Sequence, residues 1–210
     1  MHQKKRILIL QRLQEKNPNP KTELIYNTHF ELLIAVLLSA QTTDISVNKA
    51  TSQLYKVAHS PNDLINLGID NIKKYINNIG LYNKKAENIV KTCRILLSKY
   101  HGIVPNNRAA LEALPGVGRK TANVVLNTAF NWPVIAVDTH VMRICKRTGF
   151  VSGKYTYEIE HQLMKRVPQK FKLHCHNWFI LHGKYTCKAY KPNCSSCIIE
   201  DLCQYKKVFL

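Results

Sequence analysis

Four cysteines near the carboxyl end have the spacing of a metal site. They follow one another as C-x6-C-x2-C-x5-C, at Cys187, Cys194, Cys197 and Cys203. Thiolates bind both zinc and iron–sulfur clusters. Zinc sites usually have two separated Cys-x2-Cys pairs, whereas this segment has one such pair and holds all four cysteines in one short run. The spacing alone therefore predicts a metal site and leaves zinc and a [4Fe–4S] cluster equally open.

A second group of residues could bind phosphate and supply a nucleophile. The sequence LPGVGRK ends at Lys120 and contains Gly116 and Gly118, which allow positive φ or the close approach of another backbone. Arg119 and Lys120 begin the next predicted helix, whose unpaired N–H groups attract anions. We expect Lys120 to be partly buried. Its unprotonated amine could form a Schiff base with the anomeric carbon of a sugar.

The turn does not fit the known nucleotide-binding loops. A P-loop needs G-x-x-x-x-G-K-[ST] after a strand, but here Arg119 separates Gly118 from Lys120 and a helix comes before the turn. The dinucleotide-binding fingerprint needs a third glycine and a βαβ unit. Two interpretations are left, an interhelical turn that binds nothing and a helix–hairpin–helix that binds a DNA phosphate. The second fits the basic start of the following helix better.

The sequence VDTH contains a carboxylate with two compatible roles. Asp138 is placed to cap the helix that begins after it. The same carboxylate could assist deprotonation of Lys120 and stabilise an oxocarbenium-like sugar as a base departs. His140 lies next in the motif, where lining the pocket and a surface position are equally compatible with the sequence.

The charge balance points to an anionic partner. Lysine and arginine number 31 against 13 aspartate and glutamate, which gives a net charge of +18. DNA, RNA, an anionic membrane and a generally lysine-rich host are all compatible with this excess. We favour nucleic acid, bound in a salt-dependent way. No secretory signal is recognisable and the longest apolar stretch, residues 32–38, is too short to span a membrane. We therefore expect a cytoplasmic protein, associated with the nucleoid of a bacterium.

The elements that must position these groups are helices. Capping residues and helix-ending glycines are frequent, and the one apolar run that resembles a strand, residues 134–137, has no partner run. We predict an all-α fold of about ten helices. One compact unit spans residues 22–132, and residues 1–21 and 133–210 form a second. The predicted helices include the runs 30–41, 61–67, 70–80, 83–100, 107–114, 119–130, 138–148, 156–167 and 173–183.

These motifs together resemble the endonuclease III family, the iron–sulfur DNA glycosylase/AP lyases of the helix–hairpin–helix superfamily. The resemblance rests on LPGVGRK, VDTH and the cysteine spacing in that order, and it extends to LLSAQTTD at residues 37–44 and IGLYNKKAENI at residues 79–89. It implies a six-helix barrel domain at 22–132 and an iron–sulfur cluster domain built from 1–21 and 133–210. It also favours [4Fe–4S] as the group held by the four cysteines.

The resemblance also implies individual roles. Lys120 corresponds to the Schiff-base nucleophile and Asp138 to the catalytic carboxylate. Gln41 and Leu81 correspond to the residues that fill the gap left by a flipped base. Without the resemblance, Leu81 is equally a core residue at a helix end and Gln41 a polar residue at a helix C-terminus. Further DNA contacts are predicted at Gly116, Gly118, Arg119, His140 and Lys191.

The implied function is base-excision repair of double-stranded DNA by a monomer. The enzyme would remove damaged pyrimidines and cleave 3′ to the abasic site. One alternative is a monofunctional glycosylase like the adenine-mismatch branch, which lacks the lysine nucleophile, so Lys120 argues against it. Another is a non-catalytic DNA-binding or redox-sensing cluster protein.

Overall fold

The computed structural model describes residues 1–205, which form helices joined by turns and contain no β-strand. The prediction of an all-α fold is confirmed. Among the helices in this described part, none has both the length and the apolar character that crossing a membrane requires. The chain divides into two compact units. One is Glu23–Asn131, and the other combines Met1–Thr22 with the chain from Trp132 onward.

The unit Glu23–Asn131 is built around a buried helix. In α2 (His29–Leu38), every residue from Phe30 to Leu38 is buried, and this helix packs against α3 (Asp44–Val57), α6 (Tyr82–Tyr100) and α8 (Arg119–Phe130). The side chain of Thr28 caps it by accepting a hydrogen bond from the Glu31 N–H at 3.1 Å. The helices of this unit are α2 (His29–Leu38), α3 (Asp44–Val57), α4 (Pro61–Leu67), α5 (Ile69–Ile76), α6 (Tyr82–Tyr100), α7 (Arg108–Glu112) and α8 (Arg119–Phe130).

Three features of this unit differ from the sequence prediction. Helix α5 ends at Ile76 rather than at Gly80. Helix α2 ends at Leu38 rather than continuing to Gln41, so Gln41 lies in a turn. Helix α3 was not predicted, although Thr43 caps it through the Ser46 N–H and Val47, Ala50 and Leu54 form its buried face. The turn between α2 and α3 is therefore short, and it presents Gln41 at the surface.

The second unit packs its helices around aromatic residues. Phe150, Phe171, Trp178 and Phe179 are almost fully buried, and the ring of Phe150 meets the ring of Phe179 edge to face with centroids 5.3 Å apart. Residues 134–137 are buried and form neither a helix nor a strand. The elements are α1 (Gln3–Lys16), α9 (Thr139–Thr148), α10 (Thr156–Arg166), α11 (Gln169–Tyr185) and a 3-10 helix at Glu200–Leu202.

Candidate functional site

The hairpin turn joins α7 to α8 and uses its two glycines differently. Gly116 has φ of +81°, in the left-handed region that favours glycine. Gly118 has φ of −92° and extended backbone, so it needs no positive φ. A Cβ on Gly118 would meet no atom within 4 Å, which leaves open space beside the start of α8. No side chain caps this helix start. The glycine at 118 therefore keeps the surface open for an anion to approach.

Helix α6 supports this turn from behind. A Cβ on Gly116 would lie 2.7 Å from Nδ2 of Asn88, so any larger residue would have to displace that side chain. The hydroxyl of Thr92 donates a hydrogen bond to the carbonyl of Pro115 at 3.2 Å. Leu114 and Val117 are buried and anchor the turn in the core. The conformation of the turn is thus determined by both its own residues and α6.

Lys120 lies in the first turn of α8 and is exposed, as are Arg119 and Gly118. The expectation that Lys120 is partly buried is wrong, because no neighbouring element covers the open side of Gly118. An exposed amine on an uncapped helix start can reach a substrate that binds at the turn. The side chain therefore has the access that a nucleophile requires.

Gln41 and Leu81 lie in two adjacent turns of the same unit. Both have positive φ, +55° and +61°. A Cβ on Gly80 would lie 3.7 Å from the carbonyl oxygen of Gln41, so the two turns are in contact. Leu81 is 64% exposed, which excludes the alternative of a core residue. Gln41 is also exposed, and it follows α2 by three positions instead of ending the helix.

Positive φ is concentrated at the predicted DNA contacts. Apart from glycine, the described residues with this conformation are Gln41, Leu81, His101, Asn131 and Lys191. His101 and Asn131 are the left-handed C-caps of α6 and α8, a common helix ending. The other three were all predicted to contact DNA. Because such backbone costs about 1–3 kcal/mol at a non-glycine residue, it tends to be kept where function requires it.

In the second unit, Asp138 is an N-cap with an additional partner. Its Oδ1 accepts hydrogen bonds from the N–H groups of His140 and Val141, both at 2.9 Å. Its Oδ2 lies 3.2 Å from Nδ1 of His140, and the Asp138 side chain is 14% exposed. The predicted capping role is confirmed. His140 is half-buried, because a Cβ on Gly183 of α11 would lie 2.9 Å from its Cβ.

The four predicted cysteines line one cavity of the second unit, together with His182, Thr148 and Ile199. Each is half-buried and none forms a disulfide. Within residues 1–205, no three His, Cys, Asp or Glu side chains are gathered closely enough to hold a single metal ion.

Burial shapes the chemistry of these thiols. It raises the pKa of the Cys197 and Cys203 thiols above the ordinary value, so a bound cationic group is needed to keep them as thiolates. Nε2 of His182 lies 3.6 Å from Sγ of Cys197. Burial and the charge of Lys16 lower the pKa of His182 to about 4, so this imidazole is neutral near pH 7.

Two arginines that the sequence analysis overlooked hold the segment after the first cysteine. Arg143 donates to the carbonyls of Gly183 and Cys187, at 2.8 and 2.9 Å. Arg147 donates to the carbonyls of Lys188 and Ala189, at 2.6 and 2.9 Å. A sequence signal for them did exist. The two arginines are four residues apart on α9, shortly after VDTH, and this spacing puts both on one face of the helix.

Lys191 lies in the same cysteine-bearing segment and is exposed. It has φ of +45°, and its Nζ lies 5.4 Å from the ring centroid of Tyr190, which is 79% exposed. An ammonium group and an aromatic ring presented together to solvent are typical of a nucleic-acid contact. The predicted contact at Lys191 is compatible with this position.

The fold and the sites define a class of DNA repair protein. Residues 34–169 match the family model described as HhH-GPD superfamily base excision DNA repair protein. The chain is 64% identical over 207 residues to endonuclease III of Escherichia coli K12, covering 99% of this chain and 98% of that protein. It is 62% identical to endonuclease III of Haemophilus influenzae with the same coverage. The chain therefore belongs to the endonuclease III family of this superfamily.

Solved structures give the same result. The fold matches a non-covalent endonuclease III–DNA complex with a TM-score of 0.93 at 44% identity, over 98% of this chain and 96% of that one. A trapped endonuclease III–DNA covalent intermediate matches with the same TM-score and identity, over 98% and 97% of the two chains. These findings confirm the predictions of a DNA-binding enzyme and of DNA glycosylase activity in base-excision repair.

Proposed function

We propose that this chain is a bifunctional enzyme that releases damaged pyrimidines from double-stranded DNA and then cleaves the strand 3′ to the abasic site. The observation that carries the proposal is the exposed side chain of Lys120, in the first turn of a helix that no side chain caps and that follows an open glycine. A phosphate bound at Gly118 would bring the adjoining deoxyribose within reach of this amine. The covalent DNA intermediate trapped for a relative at 44% identity supports the same chemistry.

The proposed reaction uses Lys120 twice. Its neutral amine attacks C1′ of the deoxyribose, the N-glycosidic bond breaks, and the base leaves with the bonding electrons and gains a proton. Opening of the sugar ring gives a Schiff base between Nζ and C1′. This cationic imine acidifies the C2′ proton, and its removal expels the 3′ phosphate by β-elimination. Hydrolysis of the imine releases the amine for another cycle.

Asp138 is proposed to supply the negative charge that the reaction needs. A carboxylate can accept a proton from the attacking amine and stabilise positive charge on the sugar as the base departs. Its hydrogen bonds to two N–H groups at the start of α9 favour the ionised form. His140 would influence this carboxylate through the contact between Nδ1 and Oδ2.

The remaining predicted residues are proposed to bind the duplex. Gly116, Gly118 and Arg119 would hold a phosphate at the hairpin. Gln41 and Leu81 would enter the stack where a damaged base has left it, because an extrahelical base leaves a vacancy that favours filling. Lys191 would contact a phosphate from the cysteine-bearing segment. The fold domains at 22–132 and at 1–21 with 133–210 are proposed as the barrel domain and the cluster domain of the family.

A [4Fe–4S] cluster is proposed as the resident cofactor, with Cys187, Cys194, Cys197 and Cys203 as its ligands. The sharing of one cavity by all four thiols supports it. When bound, the cluster would cross-link the segment, and the reaction above has no redox step. We also propose a monomer in the bacterial cytoplasm, associated with the nucleoid. Bacterial relatives and a net charge of +18 support that location.

Borohydride trapping tests the proposed mechanism. The wild-type protein, Lys120→Met and the control Lys91→Met are incubated with a duplex containing one abasic site and then reduced. Lys91 is an exposed lysine on α6 of the same unit, so it controls for loss of positive charge. We expect a covalent adduct with the wild type and the control and none with Lys120→Met. Absence of a wild-type adduct, with base release intact, would instead indicate a monofunctional glycosylase.

A further inference from the structure

A buried lysine connects the two turns that carry Gln41 and Leu81. Lys85 lies on α6, and only 5% of it is exposed. Its ammonium donates hydrogen bonds to the carbonyls of Leu38 and Ala40, at 2.9 and 2.7 Å. A third bond, at 3.1 Å, goes to the hydroxyl of Thr42. The three donors of the ammonium therefore all bind residues 38–42, which enclose Gln41.

The backbone of Lys85 bonds to the other turn. Its N–H donates to the carbonyl of Leu81 at 3.0 Å, in the first turn of α6. A second contact links the Leu81 turn to the start of α3, because Nδ2 of Asn78 donates a hydrogen bond to the carbonyl of Ser46 at 3.4 Å. One residue is thus bonded through its side chain to the Gln41 turn and through its backbone to Leu81.

A simple stability role accounts poorly for this arrangement. Burying an ammonium costs free energy unless its donors are satisfied, and an apolar residue could fill a core position on α6 without that cost. The acceptors of Lys85 are the carbonyls at and beyond the C-terminal end of α2, where the helix dipole is negative. This charge therefore holds a turn whose conformation at Gln41 is unfavourable for a non-glycine residue.

We propose that Lys85 is a positioning residue that holds the Gln41 turn in register with Leu81, so that the two side chains enter the DNA stack together. The inference rests on the proposed function, in which Gln41 and Leu81 fill the vacancy. Lys85 itself touches neither substrate nor base. Its effect reaches the DNA through the backbone of residues 38–42.

A double-mutant cycle tests this inference. Base release from a duplex with one oxidised pyrimidine is measured under single turnover for Lys85→Met, Gln41→Ala and the double variant. We expect each single change to slow release about tenfold, the range that residues coupled through contact show. Because Lys85 acts through Gln41, the double variant should also be about tenfold slower and not about a hundredfold. Losses that multiply would overturn the proposal, as would a Lys85→Met variant as fast as wild type.

Three further measurements separate positioning from folding. Lys84→Met is the matched control, since Lys84 is exposed and pairs with Glu87 at 3.2 Å on the helix surface, and it should release base at the wild-type rate. Thr42→Val removes one hydrogen-bond acceptor of Lys85 and leaves the lysine itself in place. It should slow base release several-fold in the wild-type background but not in the Lys85→Met background. An effect of Thr42→Val that persists in that background would contradict the proposal. If Lys85→Met does not fold, Thr42→Val is combined with Gln41→Ala instead, and losses that multiply in that pair would overturn the proposal.

A fluorescent probe then reports insertion directly. With 2-aminopurine opposite the damaged base, wild-type binding should raise fluorescence as the partner base loses its stacking neighbour. Lys85→Met should bind the duplex but give a smaller rise, and an unchanged rise would overturn the proposal. Borohydride trapping of wild type reports Lys120 separately. Failure of trapping would therefore contradict the proposed lyase mechanism. Rate losses that multiply in the double variant, with normal trapping, would contradict only the role of Lys85.

Discussion

Asn88 on α6 lies against Gly116 in the hairpin so closely that a Cβ on the glycine would be 2.7 Å from Nδ2 of the asparagine. Together with φ of +81°, this contact means that a side chain at position 116 would be strained and would displace Asn88. Position 118, two residues later, has open space and extended backbone. The two glycines of one turn therefore have separable roles, one in conformation and one in access.

Alanine at each glycine should reveal this difference. We expect Gly116→Ala to lower the free energy of unfolding by about 1–3 kcal/mol, through positive φ and the clash with Asn88. Gly118→Ala should change it by less than about 0.5 kcal/mol. The same Gly118→Ala variant should bind abasic duplex about tenfold more weakly, because its methyl group occupies the approach of the phosphate. Urea unfolding and a DNA titration measure the two effects. Equal loss of stability at both positions would contradict the assignment.

Replacing Asp138 should separate catalysis from helix capping. Asparagine caps helices as well as aspartate does, but it is neutral. We expect Asp138→Asn to keep the unfolding free energy and the DNA affinity while it slows base release about 100- to 10,000-fold. Asp138→Ala should in addition lose about 1 kcal/mol of stability with the cap. Single-turnover kinetics and thermal unfolding measure both variants, and a fully active Asp138→Asn would exclude the carboxylate from the chemistry.

Burial of Lys85 gives a predicted pH dependence of stability. Burial lowers the pKa of this lysine in the folded protein below its ordinary value, near 10.4 in an unfolded chain. Between the two values the unfolded chain binds more protons, so the unfolding free energy contributed by Lys85 rises with pH through that window and levels off above it. The wild type should therefore gain stability over Lys85→Met as the pH rises. Urea unfolding across alkaline pH checks this, with Lys84→Met expected to show no such difference from wild type.

If the proposed [4Fe–4S] cluster is resident, its removal should affect DNA binding through the segment that carries the cysteines. Arg143 and Arg147 hold residues 187–189, but Lys191 lies beyond their bonds. We expect iron removal to lower thermal stability and weaken duplex binding, because the segment then loses its cross-link. Circular dichroism, iron content and a DNA titration measure this. An intact fold with full activity after cluster removal would contradict a structural role.

Lys191 should contribute charge without contributing sequence or lesion preference. If it contacts one phosphate, Lys191→Gln should reduce the slope of log affinity against log salt by about 1, for every duplex tested. Lys165→Gln is the control, since Lys165 is an exposed lysine on α10 of the same unit. An unchanged slope for Lys191→Gln, or an equal change for Lys165→Gln, would contradict a specific contact.

The candidate residues of the site could be named from the sequence because they lie in local patterns. The cysteine spacing, the LPGVGRK turn and the VDTH cap each occupy a short run of residues, in which residue types and helix signals are sufficient. The frequent capping residues and helix-ending glycines likewise predicted the all-α fold. The end of α2 at Leu38 was missed, because Ser39 and Ala40 give no clear signal that the helix ends. The cap of α3 and the hydrogen bonds from Lys85 determine where it ends.

The residues that hold the site in place could be identified only from the tertiary structure. Lys85, Asn88 and Thr92 share a face of α6, yet the sequence shows only a lysine, an asparagine and a threonine on a helix with apolar positions at Ile89 and Leu96. Their partners lie 23 to 47 residues away in the chain for Thr92 and Lys85. Contacts over such separations depend on how helices pack and leave no local pattern. The sequence alone therefore determined which residues could do the chemistry, and packing determined which residues hold them in place.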